Sequence, residues 1–155
     1  MVEFSHIQNE RAQMVDISAK NDVVREAAAT GKIFLKPETM KAIRGGTIVK
    51  GNVLSTARVA ATLSVKNTPS LIPMCHSIPI SAITVDFFEG DGFIESTVRV
   101  KSTGKTGVEM EALVGVSVAL LTVWDMVKSA EKDADGQYPV TCIQDIRVIE
   151  KCKGT

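Results

Sequence analysis

A chain of 155 residues has the length of one domain, and at that length about 70% of the unfolded surface can be buried without metal or disulfide staples. Hydrophobic residues at 45% and charged residues at 23% are the balance of an ordinary globular protein. Eighteen basic against eighteen acidic residues leave a formal net charge of zero, and aromatics are 5%; this excludes a protein-wide basic field for nucleic acid or anionic membrane, and supplies few base-stacking platforms.

In chain order, residues 1–13 are polar and aperiodic and read as a flexible N-terminal arm, with a single domain over 14–155. Val23 to Lys36 places Val23, Val24, Ile33, Phe34 and Leu35 around Thr30-Gly31, which reads as two extended pieces joined by a turn. Pro37 opens a short helix, PETMKAIRG, with Gly45-Gly46 just past its end. Asn52 caps a second helix that runs to about Asn67. Residues 68–81 hold three of the five prolines and read as an ordered loop. Two strands follow, near 81–89 and 93–102, joined at Glu89-Gly90-Asp91-Gly92. In the second, Ile94, Val98 and Val100 alternate with Glu95, Thr97, Arg99 and Lys101, the pattern of an antiparallel sheet covered on one face. A long helix over 107–134 and a final strand over 139–151 close the chain. Helices segregated onto such a sheet predict an α+β two-layer sandwich.

Cys75, Cys142 and Cys152 are odd in number and form no C-x-x-C pair, so a disulfide framework and a zinc knuckle are both disfavoured and a reduced, cytoplasmic setting is expected. Met1 to Arg11 has no apolar signal segment, and the 13 uncharged residues between Glu111 and Asp125 fall short of the ~20 of a membrane span.

The long helix carries the most information. Its interior, ALVGVSVALLTVW, is apolar nearly all round, which predicts burial on more than one side and hence a homo-oligomer built around it. At 100° per residue, Glu111, Thr122, Asp125 and Ser129 share one stripe, and Lys128 meets Asp125 at i,i+3. The stripe is either a solvated surface with a helical ion pair or a carboxylate–ammonium pair that passes protons. Glu111 and Asp125 stand 14 residues apart, ~21 Å along a helix, so one site uses both only if the ligand is long or two chains contribute. Ahead of the helix, Thr103-Gly104-Lys105-Thr106-Gly107 is not a Walker motif, because Arg99 stands where glycine is required; it is either a flexible loop or an anion site. Cys75-His76 makes a poor zinc site or nucleophile–base pair, since neighbouring residues point apart; His76 reads better as a donor to a phosphate or purine. Lys50 is either a solvated lysine or a phosphate ligand.

These blocks carry a resemblance. MVDISAK…VREA, KGNVLSTARVAA, LIPMCHSIPIS, TGKTGVEMEAL and WDMVKSAEKD, in order over Met14 to Lys151, resemble the molybdenum cofactor biosynthesis protein C family, the cyclic pyranopterin monophosphate synthases. The resemblance implies a ferredoxin-like α+β fold assembled as a homohexamer, a trimer of dimers, with active sites at the dimer interfaces. It implies a cytoplasmic lyase acting after a radical S-adenosylmethionine GTP cyclase. The reaction would convert the cyclised dihydroguanosine triphosphate into cyclic pyranopterin monophosphate and release pyrophosphate. Asp125 and Lys128 match the family's catalytic pair, with Lys50 a third participant. Met74, Cys75 and His76 match its substrate-binding loop, and Met110 with Glu111 a second binding segment. Arg25, Glu109 and Lys151 also fall on functional positions, with Lys153 the alternative to Lys151 in a tail that departs from the family's Lys-Ser-Gly-Gly-Lys-Ser-Gly pattern. No carboxylate cluster specifies a permanent cofactor or metal; Mg²⁺ is compatible with the triphosphate. A non-catalytic nucleotide sensor is the rival reading, and an RNA-binding domain is disfavoured by charge and aromatic content.

Overall fold

The computed structural model describes residues 7–8 and 11–154. Of the arm read over 1–13, β1 (Ile7–Gln8) pairs antiparallel with β2 (Arg11–Ala12); residues 1–6 and 9–10, His6 among them, lie outside the described residues. The main sheet has four long strands: β3 (Val23–Phe34), β4 (Ile80–Glu89), β5 (Phe93–Gly104) and β6 (Cys142–Lys153). Its order is β4-β5-β3-β6, with every neighbouring pair antiparallel. Between β3 and β4 lie α1 (Pro37–Arg44), α2 (Val53–Lys66) and the single turn α3 (Thr68–Leu71); α4 (Glu109–Glu131) joins β5 to β6. This is the split β-α-β topology of a ferredoxin-like two-layer sandwich.

Local signals explain most of these elements. Pro37 sits in the first turn of α1, and the side chain of Asn52 accepts from the Ser55 N–H at 2.8 Å to cap α2. On β5 the alternation holds: Ile94, Ser96, Val98, Val100 and Ser102 are buried under the helices. The opposite sheet face carries polar pairs, Glu26 with Lys101 at 2.8 Å and Lys32 with Glu95 at 3.6 Å, plus an Arg99–Glu150 ion pair flanking buried Ala28. One face is packed and the other is wet.

The Thr30-Gly31 turn does not exist. β3 runs unbroken through both residues, and Gly31 has another purpose. A Cβ there would stand 2.9 Å from Val116 and Ile146 and 3.0 Å from Leu120, so glycine is what lets α4 lie close on the sheet. The proline-rich loop contains the α3 turn, α4 is shorter than 107–134, and the last strand starts and ends later than 139–151.

α4 is the central helix of the core. Ala112, Val116, Ala119, Leu120, Val123 and Val127 are almost wholly buried, against β3, β5 and α2. By length and composition alone this helix could cross a membrane, at mean hydropathy 1.7; here it is packed inside the domain. Much of the second covered side predicted for it comes from α2 of the same chain, although Leu121 stays 57% exposed.

Candidate functional site

Two clusters of polar side chains sit at opposite ends of α4. The first is a cleft of about 600 Å³ at the N-terminal end. Its walls come from the segment before β3, from β3 itself, the 72–80 loop, the β5–α4 connection, the first turn of α4 and the end of β6. Eight of the residues read from the sequence meet there: Arg25, Met74, Cys75, His76, Glu109, Met110, Glu111 and Lys151.

Each is held by local structure. The Arg25 guanidinium donates through Nε to the Gly104 carbonyl at 2.9 Å and through Nη2 to the Lys105 carbonyl at 3.2 Å. Those carbonyls end β5, so the TGKTG segment presents acceptors to an arginine before its lysine reaches the cleft. Lys105 Nζ in turn donates to the Ser18 carbonyl at 2.8 Å. His76 Nε2 lies 2.7 Å from the Val15 carbonyl; a carbonyl only accepts, so Nε2 carries the proton and the ring is fixed by that contact. Lys151 pairs with Glu109, whose carboxylate folds back over Gly107; a Cβ at Gly107 would lie 1.9 Å from the Glu109 carboxylate.

The electrostatics follow from burial and charge. Burial alone would raise the Glu109 carboxyl, but the hydrogen bond and charge of Lys151, a backbone hydrogen bond and the Arg25 charge together outweigh it, and the group is held below the ordinary value. Glu111 is 3% exposed, and burial, reinforced by the Glu109 charge, raises its carboxyl. Burial and then the Glu111 charge push the Cys75 thiol up, the opposite of what a thiolate nucleophile requires. Among the described residues the cleft holds five cationic side chains (Lys20, Arg25, Lys105, Lys151 and Lys153) against Glu109 and Glu111. Lys20 was missed by sequence reasoning, although it ends the MVDISAK block; nothing local marks a lysine in a polar run as pocket-facing. Lys105 was visible only as part of an ambiguous loop. Both Lys151 and Lys153 line the cleft.

The second cluster lies near the C-terminal end of the helix. Asp125 is gripped by two lysines: Lys128 Nζ to Oδ1 at 2.8 Å, and Lys50 Nζ to Oδ2 at 2.9 Å, with Lys50 also donating to the Asp125 carbonyl at 2.7 Å. Lys128 first, and Lys50 second, pull the Asp125 carboxyl from 3.8 down to about 2. The partnership raises the Lys128 ammonium. All three side chains are about half exposed. The expected stripe of Glu111, Thr122, Asp125 and Ser129 is therefore divided by environment. Glu111 is buried and lines a small cavity with Val65, Lys66, Pro69, Ser77, Ile78 and Ile80, while Asp125 and Ser129 are exposed. Among the described residues no group of three or more His, Cys, Asp or Glu could hold a metal ion.

Fold and cleft together define a ferredoxin-like α+β protein with a cation-lined pocket at one end of its core helix and a lysine-bracketed aspartate at the other. Its sequence matches the pattern of the MoaC family over residues 14–154. The chain belongs to the MoaC family. It is 75% identical over 154 residues to a protein of Methanoregula boonei named "Probable cyclic pyranopterin monophosphate synthase", with 99% of each chain covered. Proteins of the same name from Methanosphaerula palustris and Thermococcus kodakarensis are 66% and 53% identical, each covering 99% of this chain and 100% and 99% of their own.

Proposed function

We propose that this chain is a cyclic pyranopterin monophosphate synthase of molybdenum cofactor biosynthesis, a cytoplasmic lyase that follows a radical S-adenosylmethionine GTP cyclase. Its substrate is the cyclised dihydroguanosine triphosphate, and its products are cyclic pyranopterin monophosphate and pyrophosphate. The observation that carries the reading is the pairing of chemistries on α4: a cation-rich cleft at one end, and an aspartate between two lysines at the other.

In the cleft, Arg25, Lys105 and Lys151 supply donors for the triphosphate, with the guanidinium suited to bidentate contact. Cations at the departing pyrophosphate stabilise charge as it accumulates there. The carboxyls of Glu109 and Glu111 accept from ring and amino N–H groups of the guanine-derived edge, while Met74, Cys75 and Met110 pack against its faces. Opening and reclosing the ring require proton transfers. Asp125, Lys128 and Lys50 perform them as an acid/base trio: the lysines donate, and Asp125 accepts and holds both ammonium groups in place. Mg²⁺ travels with the triphosphate as its counter-ion; no resident cofactor takes part.

The trio and the cleft stand ~21 Å apart along one helix, so each working site combines the cleft of one protomer with the trio of another. Exposed Leu121, between the two on α4, gives such a dimer contact apolar surface, and the full assembly is a trimer of dimers. Incubation of the purified protein with the cyclised triphosphate tests the reaction. The synthase releases pyrophosphate and pterin; tight binding with neither product identifies a nucleotide sensor and overturns the reading.

A further inference from the structure

A third group of polar side chains gathers at the foot of α4, outside both clusters. Glu131, the last residue of the helix, is 0% exposed. Its carboxylate accepts from the Lys36 backbone N–H at 3.2 and 3.3 Å and from the Thr141 hydroxyl at 2.6 Å. Lys36 adds a second tie, its Nζ donating to the Ala130 and Lys132 carbonyls at 3.2 and 3.0 Å. These are among the carbonyls that a helix end leaves without intrahelical donors, and α4 ends on Lys132 in extended backbone with no glycine cap. Lys36 is also the N-cap of α1. One joint thus locks the last turn of α4, the entry to α1 and the approach to β6.

The acid/base trio lies next to these segments along the chain. Lys128 and Asp125 precede Glu131 by three and six residues on the last two turns of α4, and Lys50 lies in the connection that follows α1. A carboxylate kept fully out of water bears a desolvation cost that an apolar side chain of similar volume would avoid. We propose that Glu131 is a positioning residue that fixes the end of α4 against the entry to α1 and, through α1, the connection that carries Lys50, and thereby sets the Lys50–Asp125–Lys128 geometry. The proposal rests on the acid/base role given to that trio above. Displacement of reacting groups by 1 Å can cost about 100-fold in rate, so a joint that holds the screw position of a helix acts on turnover before it acts on binding.

The test compares Glu131→Leu with Glu131→Gln by kinetics on the cyclised triphosphate and by crystallography. Glu131→Leu is expected to keep KM within about twofold while kcat falls by at least about tenfold, the split of a transition-state defect. Glu131→Gln, whose amide oxygen still accepts from Lys36 N–H, is expected to retain kcat within about threefold. In the Glu131→Leu crystal structure the Lys50–Asp125 separation is expected to open from 2.9 Å to beyond about 4 Å, where an ion pair is lost. An unchanged kcat, an equal loss in both variants, or both ion pairs intact at 2.8 and 2.9 Å overturns the proposal. If Glu131→Leu does not fold, Thr141→Val removes one donor only; a several-fold kcat loss at constant KM, restored by Thr141→Ser, supports the joint, and an unaltered kcat refutes it. The crystallographic distances are read without turnover, so failure of the functional reading and failure of this proposal are told apart.

Discussion

The two ends of α4 treat a carboxyl group in opposite ways. At the N-terminal end Glu111 is buried, and burial together with the charge of Glu109 raises its carboxyl. Near the C-terminal end Asp125 is exposed between Lys128 and Lys50, and its carboxyl falls to about 2. One helix therefore offers a carboxyl that resists ionisation and another that is ionised throughout the working range. The difference lies in covering and partners, not in residue type: desolvation disfavours charge, while two adjacent ammonium groups favour it.

The largest expected effect comes from breaking the exposed end. Lys128→Ala or Asp125→Asn should leave the protein folded and reduce product formation by at least about 100-fold, as loss of a general acid or base does. Size-exclusion chromatography and a pyrophosphate assay check both halves of that statement.

Glu111→Gln sharpens the contrast at the buried end. Because the folded carboxyl is raised above the 4.5 of the unfolded chain, folding binds a proton, and stability declines as pH climbs from 4.5 through the raised value. Removing that titration should raise the melting temperature near pH 7 and flatten its slope over this interval, while weakening substrate binding. A melting temperature that drops at pH 7 would contradict burial as the dominant cause.

The smallest effect belongs to Asp125. Its carboxyl is depressed, so its contribution to stability is complete above 3.8 and disappears as pH falls from there to about 2. The side chains are half exposed, so salt should screen the effect, and Asp125→Asn should remove it from acid-unfolding curves. An acid transition identical in the variant would show that the lysines do not grip Asp125 in solution.

The parts of the fold legible in the sequence are those fixed by local rules. Alternation on β5, the Asn52 cap and the early proline of α1 all act within a few residues. Gly31 was misread because a Thr-Gly pair imitates a turn; its reason is the approach of Val116 and Leu120, far away in the chain. The same limit governs the site. Motif blocks located Arg25, His76 and Glu109, which do converge, with Lys151 from the divergent tail beside them, and the i,i+3 spacing located Asp125 with Lys128. Helical spacing could not say that Glu111 is buried and Asp125 exposed, because that depends on elements distant in the chain. Glu131 gave no signal at all: its partners, Lys36 and Thr141, adjoin other elements.

Mixing subunits tests most directly whether the two ends of α4 serve one site across a protomer boundary. Lys128→Ala and Arg25→Ala proteins, each nearly inactive alone, are to be dissociated, combined in equal amounts and reassembled. Random pairing makes half of the dimers mixed, each with one intact composite site of two, so about one quarter of wild-type activity should return. Activity no higher than that of the two parents, in a sample shown by mass spectrometry to contain mixed assemblies, would place cleft and trio in separate sites and contradict the account.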